Sequence, residues 1–303
     1  TKGIPELREK IAAHLKKKGV HFEEVMVTAG VTGGLLLASF ALINPGDEVI
    51  IPDPFFVMYE YQVLLMGGVP VFVDTYPDFR LREEKFVKKL SKKTKLIIIN
   101  SPNNPTGAIY PKEDLMMVVR MAKERDLLIL SDDIYDNFVF DTPSCPCIGQ
   151  LYENTMTFGG FSKGWAMTGW RLGYAAGPKE ILQQMITLQQ YTFSCANSFA
   201  QKAAVKALDF NVESYIAGYK KKRDLIYDGL KEKFNVQKPQ GAFYIFPEVP
   251  GGNAEAFVEK AIQNNLFIVP GSVFSKRNTH VRISFAASDE TLQKGIEVLH
   301  RIS

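Results

Sequence analysis

Short apolar runs alternate with amphipathic stretches through the first two thirds of the chain. The runs at Val25–Thr28, Glu48–Ile51, Pro70–Val73, Leu96–Asn100, Leu127–Ser131, Thr155–Gly159 and Leu172–Ala176 read as strands. Several are apolar at consecutive positions, Leu96-Ile97-Ile98-Ile99 and Leu127-Leu128-Ile129-Leu130 among them. Strands buried on both faces require that pattern. Between the runs, helical patterns cover Gly34–Ile43, Phe55–Met66, Glu83–Lys92, Lys112–Glu124 and Lys179–Tyr191. The alternation predicts an α/β fold: a mostly parallel central sheet flanked by helices, with ligands beyond the carboxyl ends of its strands.

The last third has another rhythm. Asn211–Phe234 is one long helical pattern, followed by a strand-like Ala242–Phe246 and a helix from about Asn253. Strands near Phe267–Val269 and Val281–Ser284 and a closing helix Asp289–Ile302 complete it. We expect a large domain over residues 1–212 and a smaller C-terminal α/β domain over 213–303, joined through the long helix. The runs Lys16-Lys17-Lys18 and Lys220-Lys221-Lys222-Arg223 read as solvated helix faces.

Composition narrows the function classes. Of 303 residues, 46% are hydrophobic and 23% charged, and 36 basic residues against 33 acidic leave a net charge of +3. Disordered, collagen-like and disulfide-stapled chains are excluded. So near a balance, nothing electrostatic points to nucleic acid or to an anionic membrane. Cys145, Cys147 and Cys195 cannot all pair with one another and read as reduced thiols of a cytoplasmic protein. The 22 residues from Val25 to Gly46 lack Lys, Arg, Asp and Glu, but Thr28, Gly30, Thr32, Gly33, Gly34, Ser39 and Asn44 interrupt them. A strand, a glycine turn and a buried helix explain that stretch better than a membrane span, which needs about 20 apolar residues. No signal-peptide pattern is visible in these residues, and position 1 is Thr rather than Met.

Candidate chemistry gathers at the strand ends. Gly30-Val31-Thr32-Gly33-Gly34 opens a helix after the first strand, where free backbone N–H groups attract anions; taken alone, the segment reads better as a plain tight turn. Ser101-Pro102-Asn103-Asn104-Pro105-Thr106-Gly107 is a stiff turn able to aim an Asn side chain into a cleft. Asp132 and Tyr135, in Ser131-Asp132-Asp133-Ile134-Tyr135, could hold a heteroaromatic ring, or the two acids could be a surface pair. The most specific stretch is Gly160-Phe161-Ser162-Lys163-Gly164-Trp165-Ala166-Met167-Thr168-Gly169-Trp170-Arg171-Leu172-Gly173. A lysine among small and apolar residues loses proton affinity and becomes a nucleophilic amine.

The segment Ser162–Gly173, with Asn103-Asn104-Pro105-Thr106-Gly107 and Asp132-Asp133-Ile134-Tyr135, resembles the fold-type I pyridoxal-phosphate aminotransferases, closest to the class I/II, aspartate aminotransferase-like group. The resemblance runs from Gly3-Ile4-Pro5-Glu6-Leu7-Arg8 to Val281-Arg282-Ile283-Ser284-Phe285. It implies a homodimeric enzyme that moves an amino group between an L-amino acid and a 2-oxo acid through pyridoxal 5'-phosphate. In that family Lys163 matches the lysine that forms the internal aldimine and then shuttles a proton, and Asp132 matches the carboxylate beside the pyridine nitrogen. Tyr135 and Asn104 match donors to the phenolic oxygen, and Phe56, with Phe55 as the competing choice, matches the aromatic residue on the ring face. Arg171 matches a phosphate ligand, helped by the N–H groups of Val31 and Thr32. Arg282 matches the fork that holds the substrate α-carboxylate.

Two departures accompany the resemblance. Gly160 stands where many members have Ser, three residues before the lysine, which leaves Ser162 to supply that hydroxyl. The chain also starts at Thr1, where the family's Tyr-Thr-x-Gly-x-Pro segment would be under way. We therefore expect upstream residues that include a Tyr reaching the partner's phosphate and an arm covering the substrate. The glycine turn offers no Lys or Arg to a second carboxylate, which argues against a preference for aspartate. Two other readings fit the same motifs: a carbon–sulfur β-lyase on this scaffold, and the effector domain of an aminotransferase-like transcription regulator. The near-neutral charge and the lack of a basic helix-turn-helix pattern count against the second.

Overall fold

The computed structural model describes residues 1–303. The chain opens with α1 (Pro5–Lys17), β1 (Glu24–Thr28), α2 (Gly30–Leu42), β2 (Glu48–Asp53), α3 (Met58–Leu65), β3 (Val69–Asp74) and α4 (Glu83–Val87). It continues through β4 (Thr94–Asn100), α5 (Lys112–Glu124), β5 (Leu128–Asp132), β6 (Thr155–Gly160), β7 (Gly173–Gly177), α6 (Lys179–Thr192) and α7 (Ser198–Ala207). The remainder is α8 (Glu213–Leu230), β8 (Tyr244–Ile245), α9 (Ala254–Gln263), β9 (Val269–Pro270), β10 (Val281–Ser284) and α10 (Asp289–Ile302).

Seven strands form one sheet in the order β1-β7-β6-β5-β4-β2-β3. Only β7 runs against its neighbours; the pairs from β6 through β3 are parallel. Side chains alternate between two cores, as a pleated strand demands. Leu96, Ile98, Leu128 and Leu130 enter one core with α2, α6 and the C-terminal unit, while Ile97, Ile99 and Ile129 enter another with α5. The unbroken apolar runs thus have both faces covered. Parallel register sets Asn100 opposite Asp132, so β4 and β5 finish side by side.

A second sheet, β8-β10-β9, is antiparallel throughout. Leu292, Ile296 and Leu299 of α10 bury a stripe that joins Ile226 and Leu230 of α8 in the first core. Ser288 caps α10 by accepting the Thr291 N–H at 3.1 Å. None of the helices is long and apolar enough to cross a membrane.

Several predicted bounds change for identifiable reasons. Helix α2 begins at Gly30 rather than Gly34, because Gly30 takes φ +74° and starts the helix directly after the strand. Helix α3 begins at Met58 rather than Phe55, since the Phe55 N–H is committed to the Phe274 carbonyl. Helix α4 ends at Val87 rather than Lys92; Lys88, Lys89, Ser91 and Lys92 are exposed and give no face to bury. The long helix is α8 alone, shorter at both ends than Asn211–Phe234. Strand β8 keeps two of the five expected residues, with Ala242 in the left-handed region, and Phe267 is exposed just before β9. Two helices, α1 and α7, had no counterpart in the pattern. They pack on each other, Leu7, Ile11 and Leu15 against Ala200, Ala204 and Val205, in a third core.

Candidate active site

The carboxyl ends of β4, β5 and β6 meet at one cavity of about 270 Å³. Asp132, the last residue of β5, is buried on its floor. Its Oδ2 accepts the Tyr59 hydroxyl at 2.7 Å and its Oδ1 accepts the Ile134 N–H at 3.2 Å. Asn100 stitches the neighbouring strand end to it: Nδ2 donates to the Asp132 carbonyl at 2.9 Å, and Oδ1 accepts the Asn104 N–H at 2.8 Å. That fixes Asn104, whose amide reaches the Tyr135 hydroxyl at 3.5 Å and whose Oδ1 accepts Arg282 Nη1 at 3.1 Å. The Tyr135 and Tyr244 hydroxyls lie 3.2 Å apart. Arg282 comes from β10 of the second sheet, its guanidinium between the rings of Tyr244 and Phe274 at 4.6 and 4.1 Å.

The opposite wall is built from the link after β6 and from the start of α2. Lys163 follows β6 by three residues, its Nζ 5.5 Å from the Phe243 ring centre and 5.9 Å from that of Tyr135. Arg171 takes left-handed φ/ψ, donates to the Thr168 carbonyl at 2.9 Å and lies so close to Gly30 that a Cβ there would stand 2.8 Å from Nη2. Gly173 makes the complementary approach, since a Cβ on it would stand 2.7 Å from the Val31 nitrogen. Two glycines therefore bring an arginine and the uncapped first turn of α2 to one spot, where the Val31 and Thr32 N–H groups have no partner within the helix.

All ten candidate residues line this cavity: Val31, Thr32, Phe56, Asn104, Asp132, Tyr135, Ser162, Lys163, Arg171 and Arg282. Phe55 does not; it stacks on Phe72 at 4.8 Å within the core. Asp133 turns the other way, accepting Ser131 Oγ at 2.6 Å and Cys147 Sγ at 2.8 Å. It faces a larger cavity of about 650 Å³ that also touches Cys145 and Asp136, behind the loop rather than within the site. Tyr59, Asn100, Tyr244 and Phe274 hold the candidate residues in place, and the sequence did not single them out. Asn100 closes an apolar run and Tyr59 lies three residues beyond Phe56, which were the signals available.

Burial dominates the electrostatics. It lowers the Lys163 amine below its ordinary range, reinforced by Arg282 and Arg171 and opposed by Asp132. It pushes the Asp132 carboxyl up to about 6, against the Tyr59 hydroxyl and the Ile134 N–H that favour the carboxylate. Tyr135 is held well above the usual phenol range by burial and by Tyr244, so it stays a hydroxyl donor.

An amine kept short of its usual proton affinity, a buried carboxylate and a guanidinium fork around one cavity suit an enzyme that handles amino and carboxylate groups together. Comparison with known proteins narrows that class. Residues 1–299 match the family aminotransferase class I and II, and the chain belongs to it. The protein is an aminotransferase, and the family is generally pyridoxal-phosphate-dependent. It is 39% identical over 320 residues to an aspartate aminotransferase of Pyrococcus abyssi, covering 99% of this chain and 82% of that one. It is also 39% identical over 319 residues to aromatic-amino-acid aminotransferase 2 of Thermococcus litoralis, with the same coverage of 99% and 82%. The solved aromatic aminotransferase of Pyrococcus horikoshii superposes with a TM-score of 0.96 at 40% identity, over 99% of this chain and 86% of that one.

The raised Asp132 carboxyl has a consequence for stability. Its folded value of about 6 lies above the ordinary carboxyl, so the native state binds more protons than the unfolded chain between the two. Stability therefore falls as pH rises across about 4 to 6, and the whole penalty is present at neutral pH. Asn at 132 keeps both contacts, as an oxygen for the Ile134 N–H and an amide for the Tyr59 hydroxyl. Ligand-free Asp132→Asn protein should melt at least as high as the parent near pH 7.5, while amino-group transfer falls roughly a thousandfold. Thermal unfolding at several pH values and a transamination assay check both halves; a variant several degrees less stable at neutral pH contradicts the first.

Proposed function

We propose that this enzyme moves an amino group between an L-amino acid and a 2-oxo acid with pyridoxal 5'-phosphate held in the 270 Å³ cavity. The observation that carries the reading is Lys163, an amine of lowered proton affinity in the same cavity as a buried carboxylate that makes no ion pair. The residues present fit the group. Gly30, Gly173 and Arg171 leave a cradle that a Cβ would fill, suited to a phosphate, and Asp132 awaits a cation.

In this assignment Lys163 would hold the cofactor's aldehyde carbon, Asp132 its ring nitrogen, Asn104 and Tyr135 its phenolic oxygen, and Phe56 its ring face. Arg171, the Val31 and Thr32 N–H groups and the Ser162 hydroxyl would hold its phosphate. When bound, the group supplies an electron-withdrawing ring that accepts the electron pair of the substrate Cα–H bond. Arg282 binds the α-carboxylate through its planar fork, steadied by Tyr244, Phe274 and Asn104. Lys163, depleted of proton affinity by burial and by two arginines, takes and returns the proton at Cα. Asp132, once opposite a positive ring nitrogen, falls back to the ordinary carboxylate state.

Two copies would assemble, and the exposed Tyr61, Leu64 and Leu65 of α3 offer apolar surface for such contact. A cytoplasmic location accords with three free thiols, two of them, Cys145 and Cys147, pushed upward by burial. The division into domains at residues 212 and 213 accords with a helix that starts at Glu213 and packs on α10.

Borohydride reduction of cofactor-loaded protein, followed by peptide mapping, should label Lys163; label on another lysine overturns the assignment. Product analysis that finds pyruvate, ammonia and thiol instead of a new amino acid would mark the enzyme as a β-lyase. Arg282→Lys keeps the charge but loses the two-donor fork. Affinity for the amino acid and for the oxo acid should both fall, roughly tenfold or more, in single-turnover titrations of the two half-reactions. Unchanged affinity for both would place the carboxylate anchor elsewhere.

A further inference from the structure

The last residue of β2 is tied to the other sheet's side of the molecule. Asp53 is buried, and its Oδ2 accepts the Lys276 N–H at 3.0 Å. The two segments join again where the Phe55 N–H donates to the Phe274 carbonyl at 2.8 Å. The Tyr76 hydroxyl donates to Ser275 Oγ at 3.0 Å, and that oxygen also accepts the Arg277 N–H at 3.0 Å. Asp53 Oδ1 has no hydrogen-bond partner of ordinary geometry. The Ser275 hydroxyl, which favours the carboxylate form of Asp53, is the group able to supply one. Outside this junction, Lys276 meets Glu60 at 2.5 Å and Arg277 meets Asp74 at 2.9 Å, partly exposed pairs that hold little on their own.

One joined segment continues into the cavity lining, and the other backs a residue that lines it. Phe274 lays its ring 4.1 Å from the Arg282 guanidinium carbon. On the other side Phe55 leads into Phe56, which lines the cavity and meets Tyr59 edge-on at 5.7 Å. Tyr59 in turn holds Asp132. The wall that carries Arg282 is thus pinned to the wall that carries Phe56 and Asp132 at a buried carboxylate committed to a backbone N–H. A charged acceptor makes a stronger hydrogen bond than a neutral one, and a buried N–H deprived of it is costly.

We propose that Asp53 is a positioning residue for transamination: it fixes the Phe274–Arg277 segment, and through Phe274 the Arg282 fork, relative to the cofactor cradle. The proposal rests on the assignment of Arg282 to the substrate carboxylate. Asp53→Ala removes the acceptor, whereas Ser275→Ala loosens the same junction from its other side. KM for the amino acid and the oxo acid should rise together, about tenfold in Asp53→Ala and less in Ser275→Ala, with kcat and cofactor affinity within about twofold. Asp53→Asn keeps an oxygen for the Lys276 N–H and should restore most of the loss.

Amide hydrogen exchange reads the junction without turnover. The Phe55 and Lys276 amides should exchange faster in Asp53→Ala, and Lys276 should be protected again in Asp53→Asn. Should Asp53→Ala fail to fold, Ser275→Ala carries the same expectation. Unchanged exchange in the folded variants would show that Asp53 does not hold the segment. Faster exchange with unchanged KM, or a loss of cofactor affinity in step with KM, would overturn the positioning role. If exchange responds as expected but Arg282→Lys alters neither substrate affinity, the fault lies in the Arg282 assignment and not in the junction.

Discussion

A carboxylate buried at the end of a parallel strand, without an ion-pair partner, sets the terms for everything around Asp132. Burial raises its proton affinity, and the fold answers with a hydroxyl from Tyr59 and a backbone N–H from Ile134 rather than with an ion pair. Those donors satisfy its oxygens without neutralising its charge. Holding it needs the register that sets Asn100 beside it, and the same asparagine then fixes Asn104 and, through Asn104, Arg282. A single strand pairing therefore places groups from three separate parts of the chain: the end of β4 with its following turn, the end of β5, and β10. The cost of the buried charge is carried by cores packed on both faces of the sheet.

The site also depends on the meeting of two sheets. Lys163, Arg171 and the first turn of α2 are carried by links and a helix next to the seven-stranded sheet, whereas Arg282 belongs to the three-stranded one. Burial lowers both Lys163 and Arg282, and Arg282 and Arg171 lower Lys163 further. The arrangement keeps an amine ready to give up its proton beside a guanidinium that remains charged. Small displacements between the sheets would change that field and the reach of the fork together. This is why ties between Asp53 and the Phe274–Arg277 segment bear on function as well as on stability.

The parallel sheet was legible because its signal is local. Runs such as Leu96–Ile99 are apolar at every position only where both faces are covered, and their polar ends mark where chemistry collects. The family motifs then named residues that converge on one cavity. Other features depend on partners distant in sequence. The choice between Phe55 and Phe56, and between Asp132 and Asp133, follows from which side of the backbone faces the cavity. Phe274 gains its place by stacking on Arg282, and Tyr244 by meeting Tyr135. Helix α7 buries two alanines, a glutamine and a valine and so shows little hydrophobic contrast, and α2 starts early because a glycine in the left-handed region allows it.

Asp132 is a buried carboxylate, and in the proposed function it faces a cationic ring nitrogen. Carbon-13 NMR titration of aspartate-labelled protein, assigned with the Asp133→Asn variant, follows that carboxylate directly. The ligand-free carboxyl should titrate at about 6. On adding pyridoxal phosphate its midpoint should fall below about 4, since an opposing positive charge favours the carboxylate. A midpoint that stays in place, or a shift at Asp133 instead, would contradict the account.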